Sequence, residues 1–486
     1  MGKISLKQDE RLSIKLTHQM RQGQFRRIDV YFSLPKEMSI NKNTLSDTDY
    51  FNAGIQSRCA YYTEGLHLPR LHTRFASRMK RSPAEYKNHL NLFAYQYITA
   101  LNTDTQEALN IDDKNGLKNF YNAAQDIANH SVMILTKNRT HNPKSATLGA
   151  IFENVDNYLS WYTEQSILGM LAKKPRVSEF SEERLALLQL CENENVYRKA
   201  KTYNSQSTLN DPNRIANKMH LLRRLIEYGV IFKSETQLLG NITRKIVTGV
   251  ATALIMSVVL VLIIKTQGAF STLTSLMIFI LAIIYGVREV FKDDFKTMLW
   301  HWIRKGKPKW ARSLTDPTSR QEIAKQRIWL DYIKNRNLPL QTQKLLAKRH
   351  TQNKQSSEIL HFRVESKILR DGFQSGYNTL EETINFSFLP FARYLERGSG
   401  KIYEQNVPPA NKEKIKTTSI ERRYQINIVV AMNQGKYREQ FERYKVTLNR
   451  SGIIEIENAG KLDQKDAPEI DRYSKLRSLL LFKRRR

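Results

Sequence analysis

Histidines, cysteines, paired acids and glycine-rich turns are the residues that could do chemistry here, and none falls into a reactive spacing. The ten histidines are scattered. His67 and His72, in HLPRLH, are the closest pair. A five-residue gap containing proline does not put two ligands on one helical face, and no Cys or acidic ligand clusters beside them in sequence. They read as surface or core histidines, and no metal site is expected. The phrase ERGSGKIYE, 396–404, invites a phosphate-loop reading. That motif needs Gly where Leu395 stands and Ser or Thr where Ile402 stands, so it reads as a flexible turn. Asp112-Asp113, Asp293-Asp294 and Glu381-Glu382 are adjacent acids, which on a helix do not face one site, and they read as solvated. No His-Glu-x-x-His and no Gly-x-Ser-x-Gly occurs. Cys59 and Cys191 are far apart, lack a local basic signature, and fit a reducing compartment better than a disulfide framework. The expectation is a non-enzymatic chain with no catalytic residue and no cofactor. An active site assembled from distant residues stays open.

A membrane is far more legible. Residues 246–264 carry no charge, and neither do 266–287. Crossing the hydrocarbon takes about 20 apolar residues at 1.5 Å each. We therefore expect a transmembrane hairpin over 244–290, with helices at about 246–264 and 270–287; a buried helical hairpin in a soluble protein is the alternative. Lys265-Thr-Gln-Gly-Ala269 reads as a tight turn, so both flanks lie on one side. Arg244 and Lys245 precede the first helix, Arg288, Lys292 and Lys296 follow the second, and Lys265 alone marks the turn. That bias places both termini in the cytoplasm. Neither span contains Asp, Glu, Arg or His, which argues against transport. Gly249, Ala253 and Ser257 recur every four residues on the first helix, as do Ala282 and Gly286 on the second. Small residues so spaced let backbones approach, either within the hairpin or between copies.

Beyond the second span, Val287, Phe291, Phe295, Met298 and Trp302 form one helical stripe, with Arg288, Lys292, Asp293 and Lys296 opposite. Arg304, Lys305, Lys307 and Lys309 extend the basic character. Residues 291–315 thus read as a basic amphipathic juxtamembrane segment contacting lipid headgroups, with Trp300 and Trp302 as interfacial anchors. A helix packed on the cytosolic domain is the alternative.

The formal net charge of +31 fits either nucleic acid or an anionic lipid surface. The apolar pair favours lipid. The basic stretches 69–81 and 479–486 have few aromatics and offer no stacking platform. The first twenty residues are charged throughout, so no signal peptide is expected, and Leu6 breaks a myristoylation signal. Residues 1–80 begin with alternating strands: Leu12, Ile14, Leu16, then Ile28, Val30, Phe32, Leu34. Residues 81–243 turn helical. The flank 316–486 starts with helical patterns, as in SRQEIAKQRIWLDYIK, and ends in strands. These alternate at Leu360, Phe362, Val364, at Tyr424, Ile426, Ile428, Val430, and across the turn Asn449-Arg-Ser-Gly452. The fold expected is an α+β integral membrane protein whose N-terminal strands pair with its C-terminal antiparallel strands.

The stretches RRIDVYFSLPKEMSINKNT, YGVREVFKDDFK, RRYQINIVVAMN and YKVTLNRSGIIEIE resemble, in this order, a group of large bacterial inner-membrane proteins with a central hairpin and cytosolic flanks. The resemblance implies that architecture and an inner-membrane location. It implies no activity and no catalytic residue. Asp294 departs from it, falling where a basic residue is expected. The function expected is a membrane-anchored cytosolic scaffold, sensor or interaction protein on anionic lipid, with homo-oligomers and an unidentified protein partner open. Two alternatives are an effector whose hairpin oligomerises and disrupts membranes, and a membrane-tethered nucleic-acid binder.

Overall fold

The computed structural model describes residues 5–62, 65–71, 82–111, 116–174, 178–269, 275–317, 319–347, 358–373, 377–396, 398, 400–406, 414–433 and 440–462. His72, Asp112, Asp113, the basic stretches 72–81 and 479–486, and residues 397 and 399 of the ERGSGK turn lie outside them.

In chain order come β1 (Ser5–Gln8), β2 (Ser13–Arg21), β3 (Phe25–Leu34), α1 (Asp47–Gly54) and β4 (Ile55–Tyr62). Helices follow: α2 (Pro83–Leu109), α3 (Gly116–Arg139), α4 (Ala146–Lys173), α5 (Ser181–Ala200), the short α6 (Gln206–Leu209) and α7 (Pro212–Tyr228). Strand β5 (Lys233–Leu238) leads into α8 (Asn241–Ala269) and α9 (Ser275–Arg304), and β6 (Trp310–Thr315) leads out. The remainder is β7 (Glu322–Ile333), α10 (Leu340–Ala347), β8 (Glu358–Ile368), β9 (Thr379–Ser387), α11 (Leu389–Ala392), β10 (Gly400–Asn406), β11 (Lys414–Ile420), β12 (Tyr424–Asn433), β13 (Gln440–Leu448) and β14 (Ile453–Leu462). The class is α+β, and among the described residues every strand pair is antiparallel.

Both ends of the chain build the same sheets. One sheet runs β1-β2-β9-β4 and a larger one β14-β13-β12-β3-β8-β7-β6-β5; β10 and β11 pair apart. N-terminal β3 sits between C-terminal β12 and β8, and β2 lies beside β9. Period-two alternation drives this, since each strand must turn its apolar residues to one face. Ile14 and Leu16 of β2 and Ile384 and Phe386 of β9 share a core with Val30 and Phe32 of β3, Phe362 of β8 and Ile328 of β7. Phe386 meets Phe32 and Phe362 edge-on at 5.1 and 5.2 Å. Each such side chain contributes roughly 1.5–3 kcal/mol by burial. The terminal hairpin closes as its turn residues require: Asn449 Oδ1 accepts the Ser451 and Gly452 amides at 2.9 and 2.7 Å.

Residues of α2–α5 and α7 bury a core of their own around Leu90, Tyr97, Phe120, Leu159, Leu187 and Leu222. Their starts are capped from sequence: Ser82 and Glu85 form a reciprocal capping box on α2, and Asp211 caps α7 ahead of Pro212.

An expectation for the C-terminal flank fails. SRQEIAKQRIWLDYIK is strand β7, not a helix. Its Glu, Lys, Gln and Arg favour helix, but Ala324, Gln326, Ile328 and Leu330 alternate and are all buried between two partner strands. Tertiary burial on one face overrides a weak local propensity.

Candidate functional site

The helical pair grows out of a strand pair. Leu238 of β5 lies opposite Trp310 of β6, and the ladder continues one rung, Leu239 N donating to the Lys309 carbonyl at 2.8 Å. Residues 240–308 are therefore an insertion in a single strand–strand connection. At its foot Gly240 takes φ +101°, a region that penalises side chains, and lies against Trp300 and Arg304. The Arg304 guanidinium donates to the carbonyls of Leu239 and Lys309 and sits 5.6 Å over the Trp300 ring. The two helices leave and return side by side, packed on each other.

Among the described residues one stretch, Asn241–Thr266, is long and apolar enough to cross a membrane, with mean hydropathy 2.7. Only 17% of its most apolar stretch is buried, whereas the core helix of a soluble protein is mostly buried. Helix α8 runs on through Lys265 to Ala269, so the tight turn expected at 265–269 is helix. Only Gly268 in KTQGA weakens a helix, and adding a turn to an existing helix is cheap. The connection falls at 270–274, outside the described residues. This shortens the second apolar run: α9 starts at Ser275 and meets Arg288 after 13 residues, about 20 Å. The expected span 270–287 is thus curtailed by the turn. The hydroxyls of Thr248, Thr252, Ser257 and Thr266 each donate to the carbonyl four residues back, at 2.8–2.9 Å. That leaves their polar atoms satisfied within the helix.

The seam between the helices is not the one expected. Val247, Ala251 and Val259 are buried, whereas Gly249, Ala253 and Ser257 face outward, as do Ala282 and Gly286 on α9. Open space surrounds Gly249 and Gly286. The small-residue stripe therefore does not hold this hairpin together; the adjacent face carrying Val247, Ala251 and Val259 does.

The cations split into two groups. Lys305 and Lys307 are exposed, and Arg288 leans over the Tyr285 ring at 5.6 Å. Lys292 donates to Glu289 at 3.0 Å and Lys296 pairs with Asp293 at 3.4 Å. Lys309 departs from the headgroup role. Its ammonium is held by Asp47 of α1, by Asp331 at 2.6 Å and by the Leu330 carbonyl at 2.7 Å. Arg304 likewise serves the foot. Residues 310–315, expected as amphipathic, are β6. Trp302 is 75% exposed, while Trp300 is tucked under Arg304. The apolar stripe of α9 faces out, with Phe291 63% exposed, while the Lys296 side chain is 20% exposed.

No family model, curated protein or solved structure matches the chain.

A second polar constellation lies where sequence reading put solvated acids. Glu381 and Glu382 are on strand β9, so they point to opposite faces. Glu382 is fully buried between the two sheets. Its carboxylate accepts from Ser57 Oγ at 2.6 Å and from Gln326 Nε2 at 2.8 and 2.9 Å. His18 Nε2 lies 3.2 Å from Glu382 Oε2. Burial alone would raise the Glu382 pKa; the contacts from His18, then Ser57 and Gln326, outweigh it and hold it down to about 2. The cross-strand rungs are His18–Glu382–Cys59 on one sheet and Arg26–Ser366–Gln326–Arg312 on the other. Burial lowers the pKa of both arginines, Arg26 to about 10, and raises that of Cys59. The Cys59 thiol is therefore kept protonated and unreactive. Such a layer can fix strand register; it offers no substrate access.

His67 gains partners that its sequence neighbourhood hid. Its Nδ1 is 2.5 Å from Asp104 Oδ1 on α2, and Glu107 completes a group whose donor atoms lie within 4.8 Å of one another. Asp104 Oδ2 also accepts the Leu68 amide at 2.9 Å. Asp104 is thus already used as a clasp between the segment after β4 and the helical region. The ERGSGK turn runs into β10, without the helix N-terminus that a phosphate loop needs.

Proposed function

We propose that this chain is a membrane-anchored interaction or scaffold protein, with α8 and α9 embedded in lipid and the strand-built body on one side. The carrying observation is the bare apolar surface of α9: Ile278, Phe279, Ile283, Val287, Phe291, Met298 and Trp302 are all exposed, whereas a helix on a water-soluble body turns such residues inward. The bare apolar surface of α8 supports the same reading, since contiguous exposed patches of this size mark lipid or protein contact. Because both helices end on one strand pair, the two flanks share a side. Nine cations, Arg244, Lys245, Arg288, Lys292, Lys296, Arg304, Lys305, Lys307 and Lys309, lie near the feet against Lys265 near the tip. That bias favours a cytoplasmic body. The resemblance to bacterial inner-membrane proteins points the same way.

The test is impermeant-maleimide labelling of single cysteines introduced at Lys265 and Lys305 in sealed vesicles, the two native cysteines being buried. Labelling of the two from opposite sides supports the reading. Labelling of both from the same side in intact vesicles sinks it. The effector reading is favoured by one observation, the outward face of Gly249, Ala253 and Ser257, which leaves a close-packing stripe free for a second copy. Dye release from vesicles that tracks cross-linked oligomer would support it.

A further inference from the structure

The geometry of the helical pair sets the thickness of bilayer it fits, and we propose that it fits a thin one. This rests on the membrane reading above. At the foot Gly240 lies against the Trp300 and Arg304 side chains, and at the far end α8 stops at Ala269 and α9 starts at Ser275. Pairing the helix ends in this way puts Arg288 near the level of Met256 and Lys265 near the level of Phe279. The interval free of charge on both helices is therefore eight residues, or nine rises between the flanking charges, about 14 Å. A typical hydrocarbon core is about 30 Å.

Stretching the apolar interval toward the feet brings in Arg288, Glu289, Lys292, Asp293 and Asp294. Lysine and arginine can reach back to water along their stems by about 5 Å each, so Arg288 and Lys265 widen the interval to about 24 Å. Glu289, Asp293 and Asp294 are short and exposed on the helix surface, and cannot do so. They fix the near boundary. Stretching toward the tip meets Lys265, which is exposed and fixes the far one. Helix α8 alone has a run of 19 uncharged residues, but it packs on α9, with Val247, Ala251 and Val259 buried, and takes the narrower limit of the pair. A tilt shortens the fit further. The surface thus matches a bilayer several ångströms thinner than average, or one that thins around it.

The experiment is reconstitution of the full-length chain into vesicles of dimyristoleoyl, dioleoyl or dierucoyl phosphatidylcholine, each with the same fraction of phosphatidylglycerol. The readout is the carbonate-resistant fraction that floats with lipid. Incorporation is expected to be several-fold greater in dimyristoleoyl than in dierucoyl vesicles. The double variant Arg288→Leu, Glu289→Leu lengthens the interval by about a turn on α9 and is expected to shift the optimum to longer chains. Equal incorporation at every chain length, or an optimum that the double variant leaves in place, overturns the proposal while keeping the anchor. No carbonate-resistant incorporation at any length overturns the anchor itself. Circular dichroism of the variant in detergent confirms that the body is folded.

Discussion

At the scale of single residues, Glu382 and Lys309 show how little of a side chain's job is written beside it. Both look like surface charges in sequence, and both are tied into the interior by residues far away: Ser57, His18 and Gln326 for one, Asp47 and Asp331 for the other. The alternation Leu380, Glu382, Ile384, Phe386 was available as a sign that Glu382 points inward; nothing local named its partners. Its pH signature follows. The folded carboxyl titrates at about 2 against an ordinary 4.5, so it releases its proton more readily folded than unfolded. Its stabilisation is complete above about pH 4.5 and disappears as pH falls toward 2, amounting to about 3 kcal/mol. Glu382→Gln should flatten the acid limb of a denaturation-versus-pH curve over that window and lower stability at neutral pH. A variant with an unchanged acid limb would contradict the assignment. The two lysine groups separate in the same way. Lys309→Met should cost about 1–3 kcal/mol, because it strands two carboxylates, and leave binding to anionic vesicles intact. The exposed pair Lys305→Glu, Lys307→Glu should weaken vesicle binding and leave the melting temperature nearly unchanged. Sedimentation with vesicles and thermal melts in detergent distinguish the two outcomes.

Elements were legible where one periodicity dominates. Strands β3, β12 and β13 declare themselves by alternation, and α2 and α7 by caps and prolines. Strand β7 did not, because its composition favours a helix and its alternation holds only once β6 and β8 flank it. The apolar helices were legible in composition but not in register, since no residue in KTQGA forces a turn and the break moved beyond Ala269. That shift also moved the seam. Leucine at Ala251 should wedge the two helices apart, whereas Gly249→Leu with Ala253→Leu should leave the pair intact. The latter double variant should lower any association between copies. Disulfide trapping of cysteines placed across α8 and α9 reports the first, and cross-linking in membranes the second. The foot of the hairpin is more demanding. Gly240→Ala meets Arg304 and Trp300 while holding a positive φ, and should destabilise by about 1–3 kcal/mol. A neutral melt at that position would show that the foot relaxes freely.

For the whole molecule, the joining of N- and C-terminal strands was foreseeable from a hairpin that brings the flanks to one side; the division of the strands into two sheets was not. The layout makes a sharp prediction. Because Leu239 and Lys309 are already bonded neighbours, residues 240–308 can be replaced by Asn-Gly, a two-residue turn suited to antiparallel strands. The shortened chain should be soluble without detergent and keep the cooperative melt of its sheets; loss of that melt would mean the helices are part of the body's own core. The same junction has a mechanical meaning. A pull on the helices in the direction of β5 and β6 would run across hydrogen bonds that lie perpendicular to the strands, and would load the β6–β7 ladder in shear with its rungs sharing the force. The Lys309 clasp to α1 and β7 adds a second attachment at the same point. The helical pair should thus behave as a stiff lever fixed to its body, one that converts a tilt of the helices into rotation of the whole strand-built mass.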